Sequence, residues 1–203
     1  MDLMKKIIEF VMDILETVVF VGSLFIVSYL FVIAPNQVKG ASMEPTFDSG
    51  DYILTSKISY KFGRPQKGDI VVFASLRNKD IDYIKRIIGV PGDRIVINDN
   101  EVFLNGVLLN EDYISAKTSL FDGGFMKNNI EVTVPDGYLY VMGDNRPRSS
   151  DSREFGFIPV TNVIGKVIYR YFPFNKMGFV KKPYQSYIDQ IYFTRKSLIL
   201  VRA

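Results

Sequence analysis

The 203-residue chain has no cysteine and no histidine. Without histidine there is no serine–histidine–aspartate triad and no cysteine–histidine dyad. With neither imidazole nor thiolate there is no zinc site built on them. Zero cysteines also exclude a cystine-stapled scaffold, though they leave the compartment open. An excess of one charge is missing too: 25 Lys and Arg against 22 Asp and Glu leave +3. No basic stripe interleaved with aromatics marks the middle of the chain as a nucleic-acid surface. If the protein breaks acyl bonds by nucleophilic attack, the nucleophile is Ser or Thr and the base is a lysine or a carboxylate.

What is present points to a folded chain. Hydrophobic residues are 47% and charged residues 23%, a balance that favours a packed core over disorder. The length suffices for one membrane span and one sizeable domain. Lys5, Lys6, Glu9, Asp13 and Glu16 punctuate the first stretch, and no charge occurs from Thr17 to Pro35. Val18 to Ala34 is apolar on every face, unlike an amphipathic core helix, and approaches the roughly 20 helical residues that span a bilayer. Pro35 ends it.

A cleaved signal peptide is the competing reading. The run exceeds the usual apolar region of about 7–15 residues, and cleavage near Gly40 would cut into the stretch on which the chain is organised. The expected layout is a short cytoplasmic N-terminus over 1–16 and a transmembrane signal-anchor helix over 17–34. An extracytoplasmic catalytic domain follows over 35–203. Lys5 and Lys6 flank one side of the run and Lys39 the other, which puts the N-terminus inside.

The rest reads as strands and turns. Strand signals lie at Asp51–Thr55, Gly68–Phe73, Asp82–Val90, Arg94–Ile97, Glu101–Leu104, Val107–Leu109, Tyr138–Met142 and Asn162–Phe172. Turns fall at Asp99-Asn100, Asn105-Gly106 and Asp136-Gly137. Residues 110–131 are polar and form a short excursion. The fold class expected is mostly β: an N-terminal transmembrane helix followed by an antiparallel, barrel-like catalytic sheet.

Three stretches carry chemistry. The first is Val38-Lys39-Gly40-Ala41-Ser42-Met43-Glu44-Pro45-Thr46-Phe47. Gly40 permits close backbone approach, and Pro45 biases Glu44 toward an extended conformation, which suits a rigid loop presenting the Ser42 hydroxyl. The second is Tyr83-Ile84-Lys85-Arg86-Ile87-Ile88. Alternation puts Lys85 on one face with Tyr83 and Ile87, opposite Ile84, Arg86 and Ile88. Apolar surroundings lower a lysine pKa, and a neutral amine can deprotonate a serine. A lysine that packs its stem and snorkels its head to water is the alternative. The third runs from Gly143-Asp144-Asn145-Arg146 through Ser149, Asp151-Ser152-Arg153 to Gly156-Phe157. Its dense polar residues suit a hydrogen-bonded support, or a plain surface loop.

In this order, behind an N-terminal span, the three stretches and Gly68-Asp69-Ile70-Val71-Val72-Phe73 resemble the type I signal peptidases, which are membrane-bound serine–lysine peptidases. The resemblance reaches about Phe174. It implies Ser42 as nucleophile and Lys85 as general base, with Ser149 orienting the amine. It also implies supporting ion pairs Asp151–Arg153 and Asp144–Arg86. Val38, Met43, Phe47, Tyr83 and Ile84 would line the pocket for the small residue before the cut, and Asp82 would help hold the substrate as an added strand. Some members carry a serine two positions before the nucleophile; this chain has Gly40, so the oxyanion hole would rest on backbone N–H groups, chiefly that of Ser42. The activity implied is removal of signal peptides from exported preproteins through an acyl-enzyme. The partners implied are preprotein signal peptides and the lipid bilayer, with the secretion translocon as a candidate. No cofactor, metal or nucleic acid is expected. The location implied is the plasma membrane, single-pass, with the catalytic domain outside.

From about Lys176 the chain turns basic and aromatic, which suits either a packed terminal segment or contact with an anionic membrane. Two other functions compete: a self-cleaving repressor, which the span and the lack of a DNA-binding helical domain oppose, and a non-enzymatic membrane-anchored β scaffold.

Overall fold

A computed structural model describes residues 2–76 and 81–183. Most of the basic-aromatic tail, 184–203, lies outside the described residues. Helix α1 (Asp2–Phe31) is continuous. Over Leu3–Phe31 it is long and apolar enough to cross a membrane, and none of it is buried against protein. It starts well before residue 17 because charged residues such as Lys5 and Glu9, paired at i,i+4, are tolerated on a helix. The change in hydropathy at Thr17 marks an expected membrane edge rather than a helix end.

At its other end the helix stops sooner than Ala34. Ile33 and Ala34 belong to strand β1 (Ile33–Gln37), where Pro35 sits on a sheet edge that asks no N–H of it. Lys57 reaches across to the orphan carbonyls of the last helical turn, donating to Tyr29 O at 3.4 Å and Leu30 O at 3.2 Å. A cation there also complements the negative end of the helix dipole.

The domain that follows has β2 (Tyr52–Ser56), a short helix α2 (Ser59–Phe62), β3 (Ile70–Ala74), β4 (Asp82–Gly89), β5 (Arg94–Asn98), β6 (Glu101–Leu104) and β7 (Val107–Leu108). It continues with β8 (Val132–Thr133), β9 (Tyr138–Met142), α3 (Ser152–Phe155), β10 (Ile158–Pro159), β11 (Val163–Phe172) and β12 (Gly178–Phe179). The larger sheet runs β1-β2-β11-β3-β4-β9-β10, with β12 on β11; the smaller runs β7-β6-β5-β8. All pairings are antiparallel.

The barrel-like expectation is corrected: the larger sheet is open, because its end strands β1 and β10 do not pair. Both carry a proline, Pro35 and Pro159, and β10 is only two residues long, so neither edge offers a full ladder.

Three apolar clusters form the core. Ile53, Ile70, Val72 and Val167 pack with Val38, Met43 and Phe47 under the Ser42 loop. Val71, Phe73, Ile87, Leu139, Val141 and Ile158 fill the other face of the large sheet. Ile88, Ile95, Ile97, Val102, Leu104, Tyr140 and Met142 join the two sheets. The predicted alternation holds along β4, since Ile87 and Tyr83 pack in one cluster while Ile84 and Ile88 pack in the other two.

Candidate active site

The Ser42 loop is a run of turns. Glu44 N–H turns back to Ala41 O at 3.3 Å and Phe47 N–H to Met43 O at 2.8 Å. Met43 and Phe47 are buried as anchors beneath these turns, and their packing leaves the half-buried Ser42 hydroxyl facing outward. Lys85 Nζ lies 2.8 Å from Ser42 Oγ and donates to Ile84 O at 3.0 Å. Its amine also sits 5.3 Å from the centre of the Tyr83 ring. Lys85 is only 3% exposed. Burial pulls its pKa down from 10.5 to about 8, against the upward pull of Asp151 and Asp144 and with help from Arg153. A primary amine poised that close to neutrality, in contact with a hydroxyl, can take the hydroxyl proton.

Behind the pair lies a layer of buried charge. Arg86 grips Asp144 through Nε at 2.8 Å and Nη2 at 2.6 Å. Asp144 also accepts from Thr46 Oγ1 at 2.5 Å, so the ion pair is fastened to the loop that carries Ser42. Arg153 binds Asp151 through Nε and Nη2, both at 2.8 Å. Asp151 is the N-cap of α3 and also accepts from Gly143 N–H at 3.0 Å.

Among the described residues no hydrogen bond joins Ser149 to Lys85; the Ser149 hydroxyl donates to Asp151 Oδ2 at 2.7 Å. It stands close by: a Cβ on Gly143 would fall 2.2 Å from Ser149 Oγ and 2.4 Å from Ser42 O. Only glycine lets these two loops meet there. Asn145 N–H completes the join, donating to Ser42 O at 3.0 Å.

A cleft of about 710 Å³ opens over the pair, lined along one wall by Pro35 to Ser42 and along the other by Ile81 to Lys85. Ile53 and Val72 contribute from the sheet, and Arg148 and Ser150 from the third stretch. Val38, Asp82, Tyr83 and Ile84 are among the cleft's lining residues. Met43 and Phe47 do not line this cleft; apolar burial draws them into the core instead. Strand β9 pairs with β4 only from Arg86 onward, which leaves the edge of Asp82–Lys85 unpaired on that side among the described residues. Gly40 has φ +89 and open space where a side chain would be. Among the described residues, Ser42 N–H makes no hydrogen bond. No group of three His, Cys, Asp or Glu side chains is gathered to hold a metal ion there either.

Sequence reasoning missed Thr46 as a partner of Asp144. It also missed Glu111, Tyr113 and Thr118, which meet Arg146 or Arg86. Arg146 lies in the third chemistry-bearing stretch, whose density of polar residues is the available signal. Nothing in the polar run 110–131 distinguished its docking residues from solvated ones.

The model of the family described as signal peptidase, peptidase S26, matches residues 8–172 of this chain. The chain is similar to signal peptidase I of Bacillus caldolyticus, 42% identical over 157 residues, covering 74% of this chain and 85% of that one. It is similar to signal peptidase IB of Staphylococcus aureus strain MRSA252, 35% identical over 185 residues, covering 84% of this chain and 96% of that one. A crystal structure of a signal peptidase I from Enterococcus faecalis V583 shares 38% identity and covers 51% of this chain and 97% of its own, with a TM-score of 0.43.

Proposed function

The chain belongs to the signal peptidase family, peptidase S26, and from that premise we propose that it is a membrane-anchored endopeptidase cleaving signal peptides with Ser42 as nucleophile and Lys85 as general base. The observation that carries this is the 2.8 Å contact between Ser42 Oγ and a buried Lys85 amine. Ser42 Oγ attacks the carbonyl carbon before the scissile bond while its proton passes to Lys85 Nζ. The C–N bond then breaks, and the departing amine takes the proton back from Lys85. Lys85 then takes a proton from water as the water attacks the acyl carbonyl, the C–Oγ bond breaks, and Ser42 Oγ takes that proton back from Lys85. Ser42 N–H, with open space at Gly40, supplies a donor for the oxyanion.

The substrate lies along the free edge of Asp82–Lys85 as an added strand, and the buried Val38 and half-buried Ile84 favour small residues before the cut. The cleft starts at Pro35, just after α1 ends at Phe31. That placement suits a cut just beyond a membrane-embedded apolar segment. The N-terminus faces the cytoplasm and the domain after Pro35 faces outward. Protease added to intact spheroplasts should digest that domain; digestion only after lysis would reverse the orientation.

The decisive test incubates the detergent-purified chain with a preprotein beside Ser42→Ala. Wild type should release the mature protein and form a covalent adduct with an acylating β-lactam-type inhibitor, and the variant should do neither. Equal processing by a folded Ser42→Ala would remove Ser42 from the chemistry.

A further inference from the structure

The excursion at 110–131 is clamped onto both arms of the candidate site. Arg86, next to Lys85 on β4, lays its guanidinium 4.2 Å from the centre of the Tyr113 ring while it holds Asp144. Arg146, from the loop that also carries Ser149, is fully buried. It binds Glu111 through both carboxylate oxygens, at 2.9 Å to Oε2, and Tyr113 hydroxyl donates to Glu111 Oε1 at 2.8 Å. Arg146 Nε also donates to Gly143 O at 3.1 Å. Glu111 and Tyr113 thus hold, at the same time, an arginine beside the lysine and an arginine of the loop that touches Ser42 O.

We propose that Glu111 and Tyr113 are positioning residues for the Ser42–Lys85 pair, so that docking of the excursion sets the alignment and the proton affinity of the base. The proposal rests on the peptidase reading above. Neither residue lines the cleft, so they act through Arg86 and Arg146 rather than on substrate. The groups facing the Lys85 amine are Ser42, the Ile84 carbonyl and the Tyr83 ring, with Asp151, Asp144 and Arg153 acting by charge. Of these, Asp144 is the one whose partner Tyr113 holds. Asp144 raises the lysine pKa. With the Tyr113 ring gone, Arg86 loses one of its supports, Asp144 is less well neutralised, and the amine keeps its proton to higher pH.

The test uses the full chain in detergent. Cleavage of an internally quenched peptide with small residues before the cut is followed against pH. In parallel, the Lys85 amine is titrated by NMR on 13C-labelled lysine, with Lys85→Ala for assignment. Tyr113→Leu should lose roughly tenfold in kcat with KM within about twofold, and its Lys85 titration should move up by roughly half a pH unit or more. Tyr113→Phe, which keeps the ring over Arg86, should titrate close to wild type. Glu111→Gln should lower kcat in the same way, and Lys117→Ala, an exposed neighbour in the excursion, should change nothing. A folded Tyr113→Leu whose Lys85 titrates with the wild type overturns the proposal, as does a loss divided equally between kcat and KM. A wild type that cleaves no peptide, beside a Tyr113→Leu whose titration has moved, would sink the peptidase reading and uphold the positioning.

Discussion

The two sheets of this domain use charge in opposite ways. The cluster that the small sheet β7-β6-β5-β8 shares with the large one is apolar, and two ion pairs of the small sheet's strands lie at the surface. Arg94–Glu131 is 55% and 46% exposed, and Lys117–Glu101 is 72% and 42% exposed. Against the large sheet, beside Ser42 and Lys85, the ion pairs are internal. Arg86–Asp144 and Arg153–Asp151 are at most 2% exposed. Exposed pairs are screened and stabilise a fold by about 0–1 kcal/mol. Buried pairs seldom stabilise a fold more than apolar residues of the same size would, yet losing one partner is severe. The small sheet therefore follows the ordinary economy of a core. The large sheet keeps a costly arrangement beside the candidate pair Ser42 and Lys85.

Substitutions can break or sharpen that contrast. The largest effect should come from Lys85→Arg. Arginine keeps the charge but cannot release its proton, since its pKa stays above about 12. A folded variant by circular dichroism should lose roughly 10²–10⁴-fold in kcat/KM. Wild-type kcat/KM should rise with pH as the lysine, pulled down to about 8, gives up its proton. A flat profile between pH 7 and 9, or an active arginine variant, would remove Lys85 from the mechanism. Next comes Asp151→Ala, which strands Arg153 in the interior and should cost about 3–5 kcal/mol in denaturant unfolding. A cost under about 1 kcal/mol would mean that Arg153 finds other partners, and the two sheets would differ less than claimed.

Ile97→Ala, in the apolar core of the small sheet, should cost about 2–5 kcal/mol, yet leave kcat of the folded enzyme at the wild-type value. A drop in kcat there would erase the functional distinction between the sheets. Ser149→Ala removes one hydrogen bond to Asp151 and leaves both Ser42 and Lys85 in place. It should lower kcat roughly tenfold, the scale of one hydrogen bond to a charged group, with Lys85 titrating nearly as before. The smallest effect belongs to Glu131→Ala, an exposed partner of Arg94, expected within about 0.5 kcal/mol in stability.

Much of this was legible in the sequence because it rests on local pattern. The apolar run, the alternation that put Lys85 opposite Arg86, and most strand positions follow from residue order and periodicity. So does the exclusion of imidazole and thiol chemistry, which only a count of residues decides. Other features depend on which distant residues meet, and no local pattern encodes them. Helix α1 begins at Asp2, well before the change of hydropathy at Thr17, because hydropathy reports an expected membrane edge and not where backbone hydrogen bonds begin. Apolar character fits a pocket wall and a core equally well, and for Met43 and Phe47 the turns of residues 41–47 decide for the core.

Residue type identified Ser42 and Lys85 as chemically able, and motif order made them candidates. Only the tertiary structure brought them within 2.8 Å across 43 residues of chain, sent the Ser149 hydroxyl to Asp151, and docked Glu111 and Tyr113 on two arginines. A lysine pKa near 8 is the clearest case. It arises from burial and from carboxylates and an arginine far away in the chain, which is a property of three-dimensional surroundings and of no single stretch of sequence.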